Sequence, residues 1–132
     1  MRRRVVIGNW KMHGSLESTA ALLAGLDLSS LDPEVEVAVC PTSLHIAVVA
    51  KRLSTDARLA QVKVGAQNVS DAVSGAFTGE IAADMLTDFG VSFALVGHSE
   101  RRELFGESDE LVAAKAAAVI SARITPVVCV GE

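Results

Sequence analysis

Phe93-Ala94-Leu95-Val96-Gly97-His98-Ser99-Glu100-Arg101-Arg102 packs an apolar run, a glycine and a polar tail into ten residues. The run Phe93–Val96 does not alternate, which suits a strand buried on both faces of a parallel sheet. The tail reads as a short turn of helix after His98. Working outward, similar Val-rich runs recur at Val5–Ile7, Val35–Cys40, Val62–Gly65 and Pro126–Val130. With Phe93–Val96 in place, successive starts are 30, 27, 31 and 33 positions apart. Helical stretches fill the gaps. Ser15 is placed to cap a helix over Leu16–Ser30, with Glu17 in its first turn. Ser43–Leu53 reads as a second helix, with Leu44, Val48 and Leu53 on its inner face. Thr78 is placed to cap a third over Gly79–Phe89, with Glu80 early and Gly90 as the glycine just past its end. Ser108 is placed to cap a fourth over Asp109–Ala122. Strand and helix alternate, so the fold class is α/β.

Composition narrows the function. The 132 residues carry 12 Lys+Arg against 16 Asp+Glu, a net charge of −4, and half are apolar. The mean hydropathy is +0.38. A chain this apolar is not disordered, and mild acidity leaves no footprint for nucleic acid or an anionic membrane. No apolar stretch approaches the ~20 residues of a spanning helix. The basic head before Val5–Ile7 lacks the ~7–15-residue apolar core of a signal peptide, so the expected location is the cytoplasm. Cys40 and Cys129 form no CxxC, zinc pattern or disulfide framework, and read as small core residues. No linker breaks the chain, so residues 1–132 read as one domain. At about 30 residues per strand–helix unit, the chain is a small open α/β domain or about half of an eight-unit barrel of roughly 240 residues.

In parallel α/β folds, chemistry sits beyond the carboxyl ends of the strands. Four of the five ends combine glycine with polar groups: Gly8-Asn9-Trp10-Lys11, Gly65-Ala66-Gln67-Asn68, Gly97-His98-Ser99-Glu100 and Gly131-Glu132. At a helix start, His98 is disfavoured as a second positive charge; it either donates one N–H to a carbonyl oxygen or caps the helix. Lys11 either neutralises a phosphate or oxyanion or is a solvated surface lysine. Asn9 is a ligand or a turn residue. Glu100 pairs with Lys11 or only favours the helix N-terminus. Other motifs fail. Gly97-His98-Ser99-Glu100-Arg101 lacks the final glycine of a nucleophile elbow. No PCxxC follows His98-Ser99-Glu100. GxGxxG and P-loop patterns are absent.

Together the segments GNWKM (Gly8–Met12), GAQNVS (Gly65–Ser70), GAFTGEI (Gly75–Ile81), VGHSERR (Val96–Arg102), LFGESDE (Leu104–Glu110) and CVGE (Cys129–Glu132) resemble the triosephosphate isomerase family, in its order and spacing and along the whole chain. The resemblance implies the N-terminal part of a (β/α)8 TIM barrel, about four and a half βα units with strands 1–5 and helices 1–4. It implies interconversion of dihydroxyacetone phosphate and glyceraldehyde 3-phosphate through an enediol(ate), a place in glycolysis and gluconeogenesis, and no metal or organic cofactor. By resemblance, His98 polarises the substrate oxygens, Lys11 supplies positive charge and Asn9 binds substrate. Glu100 supports the network around Lys11 and His98, and Ser99 neighbours the base. The partners implied are a small phosphorylated triose and a second copy of the chain. Gln67, Phe77 and Thr78 are the interface candidates, on the loop that enters the partner.

Departures from the family pattern define further expectations. Ala122-Arg123-Ile124 stands where the family has a glycine-containing turn, which weakens the helix stop. The family's catalytic glutamate, its hinged lid and its phosphate-gripping N–H groups fall beyond residue 132. Glu132 ends strand five and is not that base. The chain alone is therefore expected to lack significant isomerase activity, since general acid–base help is worth about 10²–10⁴-fold. Two unpaired strand edges favour aggregation or self-association. The alternatives are a half-barrel that assembles with a copy or a complementary fragment without catalysis, and a non-catalytic binding module that uses the same rim.

Overall fold

The computed structural model describes residues 2–131. In chain order it contains β1 (Arg4–Asn9), α1 (Leu16–Ala24), β2 (Val35–Cys40), a 3-10 turn (Ser43–His45), α2 (Ile46–Thr55), a second 3-10 turn (Ala57–Leu59) and β3 (Val62–Ala66). There follow α3 (Ala83–Thr87), β4 (Phe93–Val96), α4 (Ser99–Phe105), α5 (Asp109–Ser121) and β5 (Thr125–Val128). The strands make one parallel sheet in the order β1-β2-β3-β4-β5. Neighbours in sequence are neighbours in space, as in part of a (β/α)8 barrel of four to five units.

The non-alternating strands are explained by burial on both faces. Val39, Val62, Val64, Ala66, Ala94 and Val96 pack into the core shared with the helices. Between them Ala38, Cys40, Phe93 and Leu95 point to the opposite face and are also buried. That face is tightest at Gly65, where an added Cβ would stand 2.5 Å from Cys40 Sγ. At its other end it is charged. Arg3 holds Glu36 through Nε and Nη2, at 2.6 and 2.7 Å, and Lys63 Nζ reaches the same carboxylate at 3.1 Å.

Ser15 caps α1 by accepting from Ser18 N–H, and Ser108 caps α5 by accepting from Leu111 N–H, as their positions predict. Several expected boundaries are corrected. The first helix stops at Ala24, not Ser30, because Gly25 caps it and Asp27 then turns the chain by accepting from Ser29 N–H. The second begins with a 3-10 turn, and the side chains it buries are Ile46, Val49 and Leu53. Leu44 (87%) and Val48 (45%) are exposed rather than inward, so the stripe is shifted around the helix. The third helix is only Ala83–Thr87, and Thr78 does not cap it. Gly79 has φ +91°, outside helical space, and Ser70 N–H donates to Ile81 O at 2.8 Å, closing residues 70–81 into a loop. Gly90 does take a left-handed φ of 67°, beyond the helix end. Strand five ends at Val128 rather than Val130, and Glu132 lies outside the described residues. Cys40 is buried as expected, whereas Cys129 is only half-buried.

The helix stop before β5 survives the loss of glycine. Arg123 adopts φ +62°, its N–H donates to Ile120 O, and Ile124 N–H donates to Val119 O. This is the paired Schellman pattern with an arginine in the left-handed position.

Candidate active site

The β1 end is built by short-range bonds. Asn9 is the last residue of the strand, and its Oδ1 accepts from Lys11 N–H at 3.0 Å. That turn holds Lys11 at φ +53°, a conformation uncommon for a residue with a Cβ. Just past the end of β3, Gln67 donates its side-chain amide to Lys11 O at 2.8 Å and to Cys40 O at 2.9 Å. One amide thus ties the ends of three strands together. This internal duty was not anticipated for Gln67, which sequence reasoning placed only at an interface.

At the β4 end, Gly97 turns the chain with φ +67° and His98 occupies the N-cap of α4. Its Nδ1 accepts from Glu100 N–H at 3.1 Å. A nitrogen that accepts carries no proton, so this bond places the ring proton on Nε2. The two sequence readings of His98 are therefore compatible: one nitrogen caps, and the other is left to donate. Glu100 brings the two strand ends together. Its Oε1 is 2.7 Å from Lys11 Nζ, and its Oε2 is 3.6 Å from His98 Nδ1. Hydrogen bonding to the Lys11 ammonium, helped by that ammonium's charge, holds the Glu100 carboxyl below its ordinary range against partial desolvation. Lys11 and Glu100 side chains are each about half exposed, at 49% and 47%, and His98 at 24% is more enclosed.

Sequence reasoning missed a second cluster behind this rim. Glu107 is buried, and its Oε2 accepts from Arg101 Nε and from Lys115 Nζ, both at 2.6 Å. Lys115 Nζ also donates to Asn68 Oδ1 at 2.9 Å. Burial pushes the Glu107 carboxyl up, but the hydrogen bonds from Lys115 and Arg101 outweigh it and the net direction is down. The cluster joins the β3 end to α4 and α5, the helices on either side of Glu107. A signal existed: Val112, Lys115 and Val119 recur at i, i+3 and i+7, and all three are buried on one face of α5. A lysine on an apolar stripe needs a carboxylate partner.

Of the interface candidates, Phe77 is exposed at 54% and Thr78 is exposed, both on the loop over residues 70–81. A cleft of about 320 Å³ beside the site is lined in part by Met12, Gln67, Asn68, Glu80 and Arg101. Ser99 opens α4. Among the described residues no group of three or more His, Cys, Asp or Glu is placed to hold a metal, and no helix is long and apolar enough to cross a membrane.

The whole arrangement can be compared with known proteins. The triosephosphate isomerase family model matches residues 4–132. The chain belongs to the triosephosphate isomerase family. It is 53% identical over 133 residues to a triosephosphate isomerase of Ectopseudomonas mendocina (strain ymp), covering 100% of this chain and 51% of that protein. It is 52% identical over 132 residues to those of Dechloromonas aromatica (strain RCB) and Thiobacillus denitrificans (strain ATCC 25259 / T1), again covering 100% of this chain and 51% of each relative. The chain thus spans about half the length of the triosephosphate isomerases it matches, in agreement with an N-terminal half of the barrel.

Proposed function

We propose that this chain is the electrophile-bearing half of a triosephosphate isomerase, which interconverts dihydroxyacetone phosphate and glyceraldehyde 3-phosphate through an enediol(ate). The observation that carries the reading is the Glu100 carboxylate set between Lys11 Nζ and His98. His98 donates from Nε2 to the substrate carbonyl oxygen and stabilises the negative charge that develops there. Lys11 places its ammonium beside the same charge, and Glu100 sets that ammonium's position. Asn9 contacts the substrate as well as shaping the Lys11 turn, and Ser99 stands next to the base. Proton transfer beside a carbonyl needs a base, an electrophile and exclusion of water, and no cofactor is part of the proposal. The base belongs to the half of the family fold that this chain does not span.

The substrate partner is a small phosphorylated triose and the macromolecular partner is a second copy. Phe77 and Thr78 would enter that copy toward its Asn9 and Lys11, with Gln67 at the edge of the contact. Residues 1–132 act as one partial-barrel domain in the cytoplasm.

A coupled isomerase assay tests the reading. The 132-residue chain gives no significant turnover alone. Joined to the C-terminal half of the Ectopseudomonas mendocina relative, it turns over, and His98→Gln lowers the rate about 10²-fold or more. A folded, completed barrel without turnover, or one indifferent to His98→Gln, sinks the proposal. A second reading, a half-barrel that assembles with a copy or complement without catalysis, is favoured by one observation. Among the described residues β1 and β5 each pair on one side only, and Val6 on β1 is 59% exposed. A defined oligomer in light scattering together with an inactive completed barrel would select it.

A further inference from the structure

Arg102 takes no part in the chemistry above, yet its side chain grips three elements. Nε donates to Gly97 O at 2.7 Å, Nη1 to Asp109 Oδ1 at 2.6 Å, and Nη2 to Cys129 O at 3.3 Å. The Gly97 carbonyl belongs to the peptide that enters His98. The next peptide is also held, since Arg102 N–H donates to His98 O at 3.1 Å and Arg101 N–H to the same oxygen at 2.9 Å. One residue therefore fastens the backbone on both sides of His98. Space is as restricted as direction. A Cβ on Gly97 would stand 2.7 Å from both methyls of Val112 and 2.9 Å from Arg102 Nη2, at a φ of +67° that already disfavours a side chain. The ion pair with Asp109 is the weak arm, because that carboxylate is 89% exposed. The two carbonyl bonds are the more enclosed arm, short to Gly97 O at 2.7 Å and long to Cys129 O at 3.3 Å. They use donors spread across a rigid planar fork, which a single ammonium does not reproduce.

We infer that Arg102 is a positioning residue that aims the His98 imidazole by clamping the Gly97–His98 peptide between the ends of β4 and β5. The inference rests on the reading of His98 as the group that faces substrate.

The test uses the 132-residue chain with 15N-labelled histidine. It reads which His98 ring nitrogen carries the proton, while the amide spectrum reports the fold. In the parent, Nδ1 is of the accepting type and Nε2 of the protonated type. In a folded Arg102→Met variant the two resonances move toward each other, because the ring is no longer held to Glu100 N–H. In Arg102→Lys, which keeps one carbonyl bond, they move part-way. In Asp109→Asn they stay as in the parent. Should Arg102→Met not fold, Arg102→Lys decides alone. His98 resonances unmoved in every folded Arg102 variant, or moved as far by Asp109→Asn, overturn the inference. Such a result leaves the isomerase reading standing. An inactive completed barrel with the expected resonance pattern would instead remove that reading and leave the role of Arg102 in place.

Discussion

Arg123 is a residue whose backbone works against its side chain. At φ +62° it occupies the left-handed position of the α5 stop, where a Cβ costs roughly 1–2 kcal/mol that glycine avoids. Glycine gives back part of this through greater freedom in the unfolded chain. Arg123→Gly is therefore expected to raise stability by about 1 kcal/mol, read as a higher urea midpoint at unchanged slope. Lys115 presents the opposite case. It is 3% exposed and closes a pair with Glu107, whose Oε1 already lacks a partner among the described residues. Lys115→Met keeps the volume and removes the charge, leaving a buried carboxylate held only by Arg101. The expected loss is about 3 kcal/mol, and Lys115→Met combined with Glu107→Gln recovers much of it. A double-mutant cycle in denaturant measures both, and simple additivity of the two changes would contradict the pairing.

Among the elements, α5 shows how little of a helix's fate its own apolar pattern decides. It is rich in alanine and nearly apolar around its circumference, so its ends matter. Ser108 accepts from Leu111 N–H at 3.2 Å, and Asp109 and Glu110 sit at the positive end of the helix. Ser108→Ala is expected to cost about 1 kcal/mol, and Ser108→Asp to cost little or nothing. Thermal unfolding of the two variants checks the cap, and a Ser108→Ala midpoint equal to the parent's would contradict it. α3 makes the converse point. Thr78 and Glu80 spell out a helix start, yet residues 70–81 are a loop closed by the Ser70–Ile81 backbone bond. A local signal was present, and the backbone bond that closes the loop outweighed it.

At the scale of the whole molecule, the sheet carries a charged end as well as a reactive one. Hydrogen bonds from Arg3 and then Lys63 lower the Glu36 carboxyl from 4.5 to about 2, against some desolvation. A carboxyl lowered by folding adds stability that is present in full above its unfolded value and is lost as pH falls through the folded one. Glu36→Gln is thus expected to be less stable than the parent at neutral pH, with the gap closing between about pH 5 and pH 2. Urea midpoints across that range provide the check, and a gap that stays constant or widens on acidification would contradict it. Arg3 also lies over the Phe93 ring, 5.9 Å from its centre, so the charged end is joined to the apolar interior rather than appended to it.

What the sequence determined by itself was whatever depends on local order. Short non-alternating Val runs are legible as doubly buried strands. Ser15 and Ser108 are legible as caps, because a cap is a bond three residues long. The pairing of Lys11 with Glu100 was legible only as an option, since 89 positions separate them and nothing local brings them together. Tertiary structure decided that pairing by setting β1 and β4 in one parallel sheet with their carboxyl ends on one rim. It also decided the inner face of α2, where packing against β3 selects Ile46 and Val49 over Leu44 and Val48. The Glu107–Lys115–Asn68 cluster and the grip of Arg102 on the His98 peptide have the same origin. Each needs two or three chain segments at hydrogen-bond distance, and only the closed packing of strands and helices supplies that proximity.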